Sequence, residues 1–268
     1  MKIGVFDSGF GGLTIFKEIH QRLPEYDYIY LGDNARSPYG SRSPELIYKF
    51  TIQAVEYLFK HNCRIIIIAC NTASAEALRK LQQEYLPKEY PDRRVLGVIR
   101  PMAEEVAQVT KGRVGVIGTD GTVKSGAYIK EFEEVDPKIK VFQKASPLLV
   151  PLVEEGWHKS EVTKKVLRKY LKPLKDKRVD TLILGCTHYP VLLKDIRAIM
   201  GKNCHVPDPG KVVVDKFYDY LNRHPEIAAK LSKKGTVKFL TTNSTEKFNR
   251  IGSKLYGEQV RAEKVELD

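Results

Sequence analysis

A chain of 268 residues is long enough for one large domain or two of ordinary size, and 42% hydrophobic with 29% charged residues excludes a disordered chain. The longest strongly apolar run, Ile65 to Cys70, falls far short of the roughly 20 residues that cross a bilayer, and Ile3 to Phe6 is too short for a signal-peptide core, so no membrane span and a cytoplasmic address are expected. The net charge of +12 is spread over pairs such as Lys164-Lys165, Lys177-Arg178 and Lys233-Lys234, which read as solvated faces and predict no specific nucleic-acid partner.

Short β-branched runs alternate with helical stretches, the pattern of a parallel α/β sheet. Strands are predicted at Lys2–Phe6, Tyr28–Leu31, Arg64–Ala69, Val95–Ile99, Arg113–Ile117, Lys140–Phe142, Thr181–Leu184 and Cys204–Val206. Amphipathic helices are predicted between them, as at Pro44–His61 and Ser160–Leu174, where apolar residues recur at helical spacing.

The two halves echo each other. Lys2 to Gly9 and Arg113 to Gly121 both run a strand into a small-residue turn, and Ile65 to Thr72 is answered by Thr181 to His188, each with a cysteine just past its strand. The turn-to-cysteine separations are similar, 63 residues from Asp7 to Cys70 and 68 from Gly118 to Cys186. Two similar α/β lobes with mainly parallel sheets flanked by helices account for this, with the active site in the cleft between the strand ends. Proline and glycine at Gly97–Pro101 and Pro207–Lys211 mark the crossings. The expected lobes are therefore 1–97 with 207–268, carrying Asp7 and Cys70, and 98–206, carrying Cys186 and His188.

Four cysteines in a chain this long form no disulfide framework and no C-x-x-C pair. Cys70 and Cys186 each precede small polar residues where a helix starts, and a helix N-terminus favours a thiolate. A small buried hydrophobe is the plain alternative for either cysteine alone, but their matched placement favours chemistry. Cys63 and Cys204 lack such neighbours and are assigned to packing. Two opposed thiols suit inversion of a stereocentre, because one removes the Cα proton and the other delivers one to the opposite face. Acid–base catalysis supplies about 10²–10⁴-fold, so hydrogen bonds to the developing enolate-like charge must supply more. Asn71, Thr72, Thr187 and neighbouring backbone N–H groups are the candidate donors. Asp7, with Ser8 at the end of the first strand, pairs with a substrate ammonium or relays a proton to the nearby thiol. It is otherwise a turn-forming aspartate. His188 stands two residues beyond Cys186 and holds a proton beside it, or else is a buried hydrogen-bonded histidine. His20, His61, His158, His205 and His224 are given no role, and Glu154 by pattern is a helix-face carboxylate.

At this point the residues resemble a known family, the glutamate racemases of bacterial cell-wall synthesis. The resemblance is carried by the segments Asp7 to Thr14, Gly32 to Gly40, Ala69 to Ser74, Gly115 to Thr119 with Thr122 to Tyr128, and Leu182 to Pro190. It implies catalysis by Cys70 and Cys186, assisted by Asp7 and His188 respectively, and an auxiliary acidic role for Glu154. It implies substrate contacts from Asp7, Ser8, Tyr39, Gly40, Asn71, Thr72, Thr187 and His188. Glutamate as substrate, no cofactor (neither pyridoxal phosphate nor metal), a homodimer, and D-glutamate for peptidoglycan follow from the same resemblance. Asn34, Phe10, Ala145 and Pro209 depart from the usual family residues, and beyond about residue 220 the resemblance fades.

Other readings remain at this stage. A racemase acting on aspartate would share both thiols. A cysteine hydrolase with Cys186 as nucleophile and His188 as base leaves Cys70 without a task. A zinc site of Cys70, Cys186, His188 and Asp7 is chemically conceivable. Gly9-x-Gly11 fits a dinucleotide fingerprint poorly, since Thr14 stands where its third glycine belongs.

Overall fold

The structure, a computed structural model, describes residues 1–267. Nine strands form among the described residues: β1 (Lys2–Asp7), β2 (Tyr28–Gly32), β3 (Cys63–Ile68), β4 (Arg94–Gly97), β5 (Arg113–Gly118), β6 (Lys140–Ala145), β7 (Thr181–Gly185), β8 (Val237–Thr241) and β9 (Ala262–Lys264). They build two all-parallel sheets, one in the order β4-β3-β1-β2-β8-β9 and one in the order β6-β5-β7. The chain passes from the first sheet to the second after β4 and returns after β7.

Alternation along buried strands explains how each sheet is covered on both faces. Ile3, Val5, Tyr28, Tyr30, Ile65 and Ile67 pack on one side of the first sheet, against the helices Leu13–Arg22, Pro209–Arg223 and Thr245–Tyr256. Phe6, Ile29, Leu31, Ile66 and Ile68 pack on the other, beneath the helix Pro44–Lys60. This is the two-sided apolar strand that parallel sheets require, and each fully buried isoleucine contributes about 2 kcal/mol relative to exposure. The second sheet repeats the arrangement, with Ile117, Leu182 and Leu184 against the helix Glu161–Asp176 and with Val114, Val116 and Ile183 on the opposite face. The long helices start where Ser43 and Ser160 accept the backbone N–H of Leu46 and Thr163.

Two readings are corrected. Cys204–Val206 is not a strand but a single parallel bridge, Thr181 with His205. His205 exchanges bonds with Asp180 and Leu182 at 2.7 and 2.8 Å, and the next ladder donor would be residue 207, a proline with no N–H. β8 and β9, absent from the predicted strands, extend the first sheet beyond β2. Within the Gly97–Pro101 and Pro207–Lys211 segments helices already begin, Ile99–Val109 and Pro209–Arg223, because proline in a first helical turn displaces no intrahelical bond.

Asp27 fastens β8 to β2. Only 3% exposed, its carboxylate accepts the Thr236 N–H at 2.9 Å and the Thr236 hydroxyl at 2.6 Å. Burial alone would raise its pKa, but donors from Thr236, Ser232 and Lys234 overcome this and hold it at about 2, below the usual 3.8. The charged form therefore adds stability above about pH 4, which is lost as pH falls through about 2. At neutral pH it amounts to about 2 kcal/mol. Urea unfolding of Asp27→Asn is expected to show that loss at pH 7, with the gap to the parent shrinking steadily on acidification. A gap independent of pH would contradict the assignment.

Candidate active site

The carboxyl ends of β1, β3, β5 and β7 deliver every residue singled out in the cysteine turns to one seam between the lobes. β3 stops at Ile68, and Cys70 becomes the N-cap of a short helix, Asn71–Glu76. Its Sγ accepts the Ala73 N–H at 3.4 Å and lies 3.3 Å from Ser8 Oγ. β7 stops at Gly185, Cys186 follows, and a 3-10 turn, Tyr189–Leu192, leads into the helix Leu193–Met200. Both sulfurs belong to residues only 6% exposed.

Burial reverses one sequence expectation. The helix terminus was to favour the thiolate at Cys70. Desolvation and the neighbouring Asp7 charge instead push this thiol up to about 12, and the Ser8 and Ala73 donors offset only part of that. Cys70 therefore rests protonated. Around Cys186 the charge has the opposite sign. His188 Nδ1 lies 3.9 Å from Cys186 Sγ and His188 Nε2 lies 3.0 Å from Glu154 Oε1. Burial pulls the imidazole pKa down, but its bonds to Cys186 and Glu154 win and hold it up at about 10. Asp7 is fully buried. Desolvation raises its carboxyl pKa, opposed by His188, by the Gly12 and Gly9 N–H groups and by Thr187.

Contacts crossing from lobe to lobe are dense. The Thr187 hydroxyl points to Asp7 Oδ1 at 3.4 Å, and the Thr14 hydroxyl donates to the Thr187 carbonyl at 2.9 Å. Gly11 must be glycine, because a Cβ there would lie 2.3 Å from Thr187 Oγ1 and 2.6 Å from His188 Nδ1. On the Cys70 side, Asn71 Oδ1 accepts the Tyr128 phenol at 2.7 Å. Thr72 Oγ1 stands 2.9 Å from Thr119 Oγ1 and 3.2 Å from Thr122 Oγ1. Gly40 abuts Thr119, whose Cβ would lie 2.6 Å from any Cβ at position 40.

Tyr39 is buried, and its hydroxyl is committed to Asp33 Oδ2 at 2.5 Å rather than free in the seam. Asp33 also accepts the Arg36 guanidinium at 2.6 Å and the Thr242 hydroxyl at 2.8 Å. Thr242 and Thr241, at the end of β8, additionally bond Ala35 and Asn34. The loop carrying Tyr39 and Gly40 is thus tied to the C-terminal part of the chain. A cavity of about 420 Å³ opens beside it, lined by Phe10, Gly40, Thr119, Pro151, Glu154 and Lys247 among others. A larger cavity of about 790 Å³, with Arg79, Arg100 and Lys216 in its wall, holds none of the predicted residues. Among the described residues no three His, Cys, Asp or Glu side chains are grouped as metal ligands would be.

Thr14, Thr119, Thr122, Tyr128 and Asp33 were not singled out from sequence. The internal echo carried a signal for Thr119, which occupies in the second half the place of Ser8 in the first.

Comparison with known proteins adds the decisive observation: the Asp/Glu/Hydantoin racemase family model matches residues 3–216. The chain belongs to this family. It is an amino-acid racemase, an isomerase. A glutamate racemase of Geobacter metallireducens is 42% identical over 257 residues, 95% of this chain and 92% of that one. The crystal structure of a glutamate racemase isoform from Bacillus anthracis superposes with a TM-score of 0.91 at 36% identity, covering 99% of this chain and 97% of that one. That of the Francisella tularensis glutamate racemase in complex with D-glutamate gives 0.89 at 35% identity, covering 100% and 98%.

Alanine at position 11 of this racemase is expected to drive the Cys186 turn away from the first lobe. Racemisation should drop by about 10²-fold or more, the cost of roughly 1 Å of misplacement, while circular dichroism stays that of the parent. Full activity in Gly11→Ala would mean that the tight approach is dispensable.

Proposed function

We propose that this racemase interconverts L- and D-glutamate without a cofactor, Cys70 and Cys186 acting on Cα from opposite sides. The observation that carries the reading is the meeting of two cysteine turns, one from each lobe, across a single seam, each sulfur with its own polar neighbour. The glutamate racemases at about 40% identity over nearly the whole chain support the choice of substrate.

In this mechanism one sulfur, as thiolate, takes the Cα proton. The electron pair left on carbon delocalises into the α-carboxylate, and the other thiol gives its proton to the opposite face. The first sulfur ends protonated and the second ends as thiolate, so the reverse reaction is the same process with the roles exchanged. Asp7 disfavours negative charge on Cys70 and so serves as acceptor for that thiol's proton, while protonated His188 stands 3.9 Å from Cys186 Sγ. Asn71, Thr187 and the backbone N–H groups of the turns receive the α-carboxylate, Asp7 and Ser8 the ammonium group. The Thr72, Thr119 and Thr122 hydroxyls form the donor set for the second carboxylate, beside Tyr39 and Gly40. Glu154 holds His188 in its charged form.

The partition into lobes 1–97 with 207–268 and 98–206 is supported by sheet membership, since β8 and β9 join the sheet of β1. Supply of D-glutamate to peptidoglycan synthesis, a cytoplasmic address and a homodimer are part of the same proposal and rest on the family resemblance. Among the described residues no helix is long and apolar enough to cross a membrane.

In deuterated water, with L-glutamate and no added cofactor, the D product is expected to carry Cα deuterium while L-glutamate recovered early stays protiated. Cys70→Ser and Cys186→Ser are each expected to lose racemisation of both enantiomers. Retention of activity by either variant, or early labelling of both enantiomers alike, would remove the two-thiol reading. The pH profile supplies a second check. Because the His188 pKa is raised, its protonated form persists to about pH 10 and is lost above, which sets the alkaline limb of kcat/KM. Glu154 is one cause of that elevation, so in Glu154→Gln the limb should move to lower pH. A limb that stays in place would separate Glu154 from the charge state of His188.

A further inference from the structure

We propose that Thr14 and Tyr128 are crossed positioning residues, each holding the cysteine turn of the opposite lobe in register with the reacting carbon. The proposal rests on the two-thiol reading and adds to it what keeps the two sulfurs aligned.

Thr14 belongs to the first lobe, in the first turn of the helix Leu13–Arg22. Its hydroxyl lies 2.9 Å from its own Gly11 carbonyl, an ordinary local contact, but also 2.9 Å from the carbonyl of Thr187, 173 positions away. That carbonyl is part of the peptide between Thr187 and His188, immediately past Cys186. Tyr128 belongs to the second lobe, in the helix Ala127–Val135, and is fully buried. Its phenol donates to Oδ1 of Asn71, the residue after Cys70, at 2.7 Å. Asn71 is itself 4% exposed, so water is no ready substitute for the phenol. The bond also fixes the amide orientation, leaving the Asn71 NH₂ group free to point at a substrate carboxylate.

The arrangement is reciprocal: the first lobe steadies Cys186 and the second steadies Cys70. Neither hydroxyl is needed in the proton transfers, so each acts only through the turn that it holds. A lobe that drifts outward breaks both bonds together. Loss of either one displaces a single sulfur and leaves the other in place.

Reciprocity gives the test an internal sign. When the Cys186 turn is loosened, removal of a proton by Cys186 becomes the slow step for one enantiomer. For the other enantiomer the slow step becomes delivery of a proton by Cys186. The primary isotope effect on kcat/KM with α-deuterated substrate therefore rises for the first enantiomer and falls for the second. Loosening the Cys70 turn does the reverse. Steady-state kinetics with α-protiated and α-deuterated L- and D-glutamate, on the full chain, will read this in Thr14→Val and Tyr128→Phe.

Each variant should lose about 10- to 100-fold in kcat, with isotope effects moving in opposite senses for the two enantiomers and in mirror image between the two variants. Thr14→Ser, which keeps the hydroxyl, should come within about threefold of the parent. Unchanged rates in the variants would overturn the proposal. So would isotope effects that shift equally for both enantiomers, or equal impairment in Thr14→Val and Thr14→Ser. If Tyr128→Phe fails to fold by circular dichroism, the Thr14 comparison decides alone. A parent enzyme that fails to racemise glutamate would instead sink the functional reading beneath it.

Discussion

A thiol inside a protein keeps its proton unless its surroundings stabilise the charge that departure leaves behind. That constraint governs the seam between the lobes. Cys70 and Cys186 are equally shielded from water, yet one stands beside a buried carboxylate and the other beside an imidazole paired with Glu154. The two sulfurs thus sit in unequal surroundings, Cys70 beside negative charge that keeps its proton on and Cys186 beside a positively charged imidazole. Their inequality is set within each lobe, by Asp7 beside Cys70 in the first and by His188 with Glu154 beside Cys186 in the second.

Parallel sheets make that meeting geometrically simple. All strands of a sheet end on the same edge, so β1 and β3 bring Asp7 and Cys70 out side by side, and β5 and β7 do the same for Thr119 and Cys186. Glycines then remove the bulk that would hold the edges apart, Gly11 against His188 and Gly40 against Thr119. Hydroxyls fill the remaining polar requirement from Thr14, Thr72, Thr119, Thr122, Thr187 and Tyr128. A neutral hydroxyl donates or accepts according to need, which suits a seam with a buried carboxylate on one side and a charged imidazole on the other.

Much of this was legible in the chain because strands β1, β2, β3, β5 and β7 are short, largely apolar runs, and because the duplicated strand-to-cysteine pattern pointed to Cys70, Cys186 and their turns. The resemblance supplied Glu154, whose pattern alone said only helix face. What stayed hidden depended on distance along the chain. Thr14 meets Thr187, and Tyr128 meets Asn71, across separations that no local periodicity encodes. β8 mixes Lys238 among apolar residues and β9 is a three-residue edge strand, so neither carries a strong period. Cys204–Val206 looked like a strand since its composition is right, but a proline ends the ladder after one bridge. The raised Cys70 thiol was missed for a related reason: helix-end charge is readable from sequence, whereas desolvation is a property of the packed interior.

The tether between β8 and the loop bearing Tyr39 and Gly40 also has a temporal side. Thr241 and Thr242 hold Asn34, Ala35 and Asp33 in place, yet they are synthesised some two hundred residues later. During translation both cysteines have already emerged while that loop still lacks its anchor. A nascent chain halted before β8 would therefore hold Cys70 and Cys186 without a finished wall beside them, and the Tyr39 loop gains its anchor only when the closing strand slides in beside β2.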